Sequence, residues 1–112
     1  MTKIIKALLN SLNGLILTWK SEWGFRLEVI ISVLIAPFVV FVRADKMSKI
    51  FVLFSFALVF ITELLNTSLE KANDARTQQQ EALIKFSKDA ASSAVFIALC
   101  LAGASLLNVF FF

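Results

Sequence analysis

The amino-acid sequence predicts an all-α membrane protein: three transmembrane helices preceded by an amphipathic helix lying on the membrane surface. Three observations carry this expectation. The 112 residues are 59% hydrophobic with a mean hydropathy of +0.84, far from the balance of a soluble domain. Apolar runs near the ~20 residues a bilayer helix needs recur along the chain. Basic residues flank those runs rather than forming one block.

The elements follow in order. Over about residues 3–20, Ile4, Ile5, Leu8, Leu12, Leu15, Ile16 and Trp19 recur at helical spacing, while Lys3, Lys6, Asn10 and Asn13 fall mostly elsewhere. That pattern fits a surface helix, and Trp19 and Trp23 stand where an interfacial aromatic belt would be. Asn10, Ser11 and Asn13 break the stretch too early for a convincing signal peptide. The first span, about 27–43, contains LEVIISVLIAPFVVFV, in which Pro37 reads as a kink rather than a stop. The second span, about 49–67, follows the loop RADKMSK. The third, about 90–111, is AASSAVFIALCLAGASLLNVFFF and runs to the end of the sequence given. All three belong to one membrane domain covering 1–112.

Charge sets the topology. With the N-terminus in the cytoplasm, Lys3, Lys6, Lys20, Arg26, Lys71, Arg76, Lys85 and Lys88 lie inside, against Arg43, Lys46 and Lys49 outside. This positive-inside bias predicts a multi-pass protein of the cytoplasmic membrane with its C-terminus outside. The net charge of +3 is small and dispersed, which argues against nucleic-acid binding. Cys100, alone in an apolar run, allows no internal disulfide and has no metal-ligand spacing.

The acids carry a second message, because all but Asp45 fall on or near the cytoplasmic side. The stretch FITELLNTSLEKAND, residues 60–74, continues the second span with polar residues where a lipid-facing helix would still be apolar. Relative to Glu63 on a helix, Asn66, Glu70 and Asp74 fall at about −60°, −20° and +20°, so they share one wedge. Glu63 and Glu70 are then about 10 Å apart along the axis, forming a stripe that runs from water into the membrane. A polar contact gluing helices together is the plainer account, but a carboxylate at the hydrocarbon boundary defaults to function.

Hard oxygen ligands of this kind suit Mg²⁺, which takes one or two carboxylates plus substrate phosphates. A base at the depth of Glu63 is within reach of a hydroxyl on a lipid that cannot leave the membrane. Phosphoryl transfer needs these parts, with a Lys to steady the phosphates, and Lys88-Asp89 returns to the same surface. Neither a Walker loop nor a kinase-type glycine loop is present in the sequence.

E-L-L-N-T-S-L-E at 63–70, K-D-A-A-S-S-A-V at 88–95, K-I-I-K-A at 3–7 and W-K-S-E-W-G-F-R-L-E at 19–28 together resemble the small prokaryotic diacylglycerol kinase family. The resemblance extends over essentially the whole chain. It implies a homotrimer of three-span subunits that uses MgATP to phosphorylate a membrane lipid, with active sites shared between subunits. By resemblance, Glu63 corresponds to the catalytic base, and Glu22 and Glu70 to the ligands of the metal with its ATP. Asn66 corresponds to a residue supporting the active centre, beside Asp74 on the stripe. Lys88 and Asp89 match the family's nucleotide-contacting pair, and Lys3 a basic residue near the phosphates. Trp19, Arg26, Glu28 and Ser92 match positions near the lipid substrate. The chain departs from the family at Asn10, where members often carry Tyr, and at Gln80-Glu81, where they often carry an aromatic-His pair. Gln79, Gln80 and Glu81 in TQQQE offer hydrogen bonds to an adenine, although a plain solvated loop is the simpler account of them. The sequence leaves open undecaprenol as the substrate, although F-R-L-E at 25–28 favours diacylglycerol. A small proton-coupled transporter would use Glu63 but not Glu70, Asp74 or Lys88-Asp89, and a non-catalytic assembly subunit would use none of them.

Overall fold

A computed structural model describes residues 2–76 and 82–112. Its elements are all helical: α1 (Thr2–Ser21), α2 (Trp23–Phe41), α3 (Lys46–Arg76) and α4 (Ala82–Phe111). The last three are each long and apolar enough to cross a membrane. Gln79, Gln80 and Glu81 lie outside the described residues.

Each boundary has a local cause. Glu22 is the one residue between α1 and α2, and its extended backbone (φ −115°, ψ 109°) turns the chain at that corner. α2 runs through Pro37 and ends at Phe41, with Val42 in an extended conformation. α3 starts behind Asp45, whose carboxylate accepts hydrogen bonds from the Ser48 hydroxyl and from the Ser48 and Met47 amides. This is the N-cap arrangement, and it satisfies donors that the first helical turn would otherwise leave unpaired. These bonds hold the Asp45 carboxyl below its usual range. α3 then continues well past the expected end of its span, because nothing between Leu65 and Arg76 is a helix breaker.

The main packing is α3 against α4. Val59 meets Ala98 and Ala102, two small residues one turn apart that let the backbones approach closely. Farther from the carboxylates, Val39, Val52 and Val109 form a second cluster joined by Ile35, Phe56 and Leu106. Between the clusters the Ser55 and Ser105 hydroxyls bond each other at 2.9 Å. Near the α2–α3 turn, Asn108 donates to Ser48 at 3.1 Å. α2 is tied to α3 by an edge-to-face contact of Phe25 and Phe60, centroids 6.0 Å apart. Most large apolar side chains are nevertheless uncovered: Phe41 is 84% exposed, Phe86 73% and Phe96 67%. Such a surface belongs in lipid or against neighbouring subunits.

Candidate functional site

The polar stripe is built on one uninterrupted helix, since residues 60–74 all lie within α3. Asn66 donates from Nδ2 to Glu70 Oε1 at 3.2 Å, as residues one turn apart can. Asn66 Oδ1 and Glu28 Oε2 are buried acceptors without a hydrogen-bond partner among the described residues. Buried polar atoms in this condition are costly unless something else satisfies them.

Two further carboxylates reach the stripe from the α1–α2 corner. Glu28, about one and a half turns into α2, faces Glu63 on α3 within hydrogen-bonding reach. Glu22 and Glu70 are both near enough for Glu63 to sense their charge. Glu22 makes no side-chain cap on α2; its Oε1 lies 3.6 Å from Lys71 Nζ instead.

The lower end of α3 is clasped to α4. Lys88 Nζ contacts Asp74 Oδ1 at 2.8 Å, and Asn73 donates to Ser87 at 3.5 Å. Asp89 pairs with Lys85 one turn before it, at 2.7 Å. A cleft of about 770 Å³ separates α1 from α3, lined by Ser11, Gly14, Thr18, Thr67, Ser68 and Lys71 among others. Thr18 and Thr67 are buried there.

The fold therefore brings Glu22 and Glu28 alongside the stripe of Glu63, Asn66 and Glu70, with Asp74 and Lys88 joined just beyond. Arg26 is half-buried one turn into α2, and Trp19 is 40% exposed near the end of α1. Among the described residues no contact brings Lys3 or Ser92 to the carboxylates: Ser92 is exposed on α4, and Lys3 is exposed at the start of α1. A straight helix puts Lys3 about 27 Å from Ser21.

Sequence reasoning missed two contacts, Glu28 with Glu63 and Lys71 with Glu22. Both join residues far apart in the chain, and helical periodicity relates only neighbours on one helix.

The donor set fits a hard divalent ion. Glu22 is not spent on capping, Glu70 has a second carboxylate oxygen, and Asn66 Oδ1 is an amide acceptor beside them. Among the described residues no three acids converge as a ready-made cage. Mg²⁺ does not require one, because phosphate oxygens and water complete its octahedron.

The chain as a whole is similar to known proteins. The sequence profile of the family described as prokaryotic diacylglycerol kinase matches residues 9–110. A diacylglycerol kinase from Haemophilus influenzae is 33% identical over 112 residues, covering 100% of this chain and 95% of that protein. The diacylglycerol kinase of Escherichia coli strain K12 is 33% identical over 101 residues, 90% of this chain and 83% of its own. That of Helicobacter pylori strain J99 is 33% identical over 97 residues, 87% and 76% of the respective chains.

Proposed function

The chain belongs to the prokaryotic diacylglycerol kinase family, and from that premise we propose that it transfers the γ-phosphate of ATP to the hydroxyl of diacylglycerol at the cytoplasmic membrane surface, giving phosphatidic acid. The observation that carries this reading is the order of carboxylates on α3. Glu63 sits toward the apolar part of the helix and Glu70 toward its polar end, with Glu22 and Glu28 drawn alongside Glu63.

Glu63 takes the proton of the lipid hydroxyl as that oxygen bonds the γ-phosphorus and the bond to the departing ADP breaks. Glu28 beside it helps to orient the base and the lipid head, with Trp19, Arg26 and Ser92 lining the lipid's place. Glu22 and Glu70 hold Mg²⁺ with its nucleotide, and Asn66 steadies Glu70. The ion supplies charge neutralisation on the phosphates, the largest requirement of phosphoryl transfer. Lys88, Asp89 and Lys3 contact the nucleotide, and Gln79, Gln80 and Glu81 are assigned weaker contacts to it by the family resemblance alone. For Lys88 this means leaving Asp74, and for Asp89 leaving Lys85.

In this reading α1 is an amphipathic surface helix, with Ile5, Leu8 and Leu12 turned to lipid and Lys3 and Lys6 to water. The N-terminus is cytoplasmic and the C-terminus outside, in a bacterial inner membrane. The subunits form a homotrimer.

Purified protein incubated with labelled ATP, Mg²⁺ and a single lipid in mixed micelles tests the reading. Diacylglycerol becomes labelled. Label on undecaprenol alone would move the protein to a different lipid, and label on neither would remove the kinase assignment. Glu22→Gln and Glu70→Gln raise the Mg²⁺ concentration needed for half-maximal rate. An unchanged Mg²⁺ titration in both variants rejects them as metal ligands.

A further inference from the structure

The ion pair between Lys71 and Glu22 places a fixed cation on one of the residues assigned to the metal. Lys71 Nζ is 3.6 Å from Glu22 Oε1, and Lys71 adjoins Glu70 in the chain. It therefore pairs with one proposed ligand and is the chain neighbour of the other. The same side chain lines the cleft between α1 and α3, so its ammonium is at a surface that a solute can enter. The Lys71 side chain is 64% exposed and that of Glu22 26%, which leaves the ammonium able to swing away while the carboxylate stays at the corner.

We infer that Lys71 is a specificity-determining residue that makes the carboxylate site prefer a metal–nucleotide complex to a bare divalent ion. The inference rests on the kinase reading above and deepens it. A bare dication approaching Glu22 must displace the ammonium and then remain beside it, so the two cations repel. A metal–nucleotide complex is net negative. Its phosphates give the displaced ammonium a new partner close to the one it left, and the repulsion becomes an attraction. The compact, flexible lysine head suits a group that changes partners in this way. The nearby carboxylates Glu28 and Glu63 attract a bare dication and repel an anionic complex, and the Lys71 charge opposes that bias. Without Lys71, a site this acidic would collect free cations. With it, metal and nucleotide arrive together.

Mn²⁺, an oxygen-preferring stand-in for Mg²⁺, allows a test that does not depend on turnover. Full-length protein in detergent micelles is titrated with Mn²⁺ by electron paramagnetic resonance, with and without a non-hydrolysable ATP analogue. Lys71→Met should bind bare Mn²⁺ about five-fold more tightly and the Mn²⁺–nucleotide complex about five-fold more weakly, the scale of one exposed unit charge. Lys71→Arg should restore both affinities toward the parent values. If Lys71→Met leaves the affinity for bare Mn²⁺ unchanged or weakened, Lys71 does not discriminate and the inference fails while the kinase reading stands. If the parent protein binds neither Mn²⁺ nor the complex, the metal site itself is misplaced and both readings fall.

Discussion

Glu63 lies at the deep end of the stripe, and the role given to it separates chemistry from binding. Replacing Glu63 with Gln keeps the shape and a hydrogen-bonding head but removes the capacity to accept a proton. We expect kcat to fall by about 10²–10⁴-fold, the usual contribution of a general base. Nucleotide affinity, followed through the tryptophan emission of Trp19 and Trp23, should change little. A variant that keeps near-normal kcat would show that another group takes the proton. The residue types and their spacing made much of this stripe legible in advance: Glu63, Asn66, Glu70 and Asp74 share a face because α3 is regular. The approach of Glu28 and the Lys71–Glu22 pair were not legible. They depend on how α1, α2 and α3 meet at Glu22, and no local pattern specifies the turn taken at a single non-helical residue.

The helices make two tests of their own. Ala98 is 3% exposed and packs on Val59 where α3 and α4 come closest. Ala98→Leu should force the pair apart at a cost of about 1–3 kcal/mol, measured as lost thermal stability in micelles. Leu99→Ala, one position round the helix and 44% exposed, should be tolerated far better. The start of α3 gives a pH-dependent case. Asp45 is held below its ordinary range first by the Ser48 hydroxyl, then by the Ser48 and Met47 amides. A carboxyl lowered in the folded state stabilises the fold above its unfolded pKa and loses that effect as pH falls through the folded value. Asp45→Ala should therefore lower the melting temperature at neutral pH, and the gap to the parent should close in acid. A gap that persists unchanged at low pH would mean that the cap acts without its charge. The apolar runs announced the helices themselves, but not their ends. Hydropathy marks what the bilayer tolerates, whereas α3 and α4 continue as helices through polar sequence to Arg76 and from Ala82.

For the molecule as a whole, the difficulty is enclosure. The chain leaves Phe38, Phe41, Phe96 and Phe111 largely uncovered, and among the described residues no large side chain is completely buried. Lipid can cover such faces, but it cannot satisfy a row of carboxylates at its boundary. Copies of the chain can do both. The reach of α1 adds a second argument. Lys3, assigned to the phosphates, stands about 27 Å from the corner that carries Glu22, whereas the cleft between α1 and α3 begins only near Ser11. A site that uses both Lys3 and Glu22 then draws them from different subunits. The small residues at the start of the third span, Ala90, Ser92, Ser93 and Ala94 exposed and Ala91 half-buried, would let a neighbouring helix approach closely there. If sites are shared, two dead chains can rescue each other. Inactive Glu22→Ala and inactive Glu63→Ala proteins, unfolded together and reassembled, should regain part of the parent activity, because some sites then combine an intact Glu22 from one chain with an intact Glu63 from another. Reassembly of each variant alone should give none. Cross-linking establishes that the mixed oligomers have formed, and mixed oligomers that stay wholly inactive would place every site within a single chain.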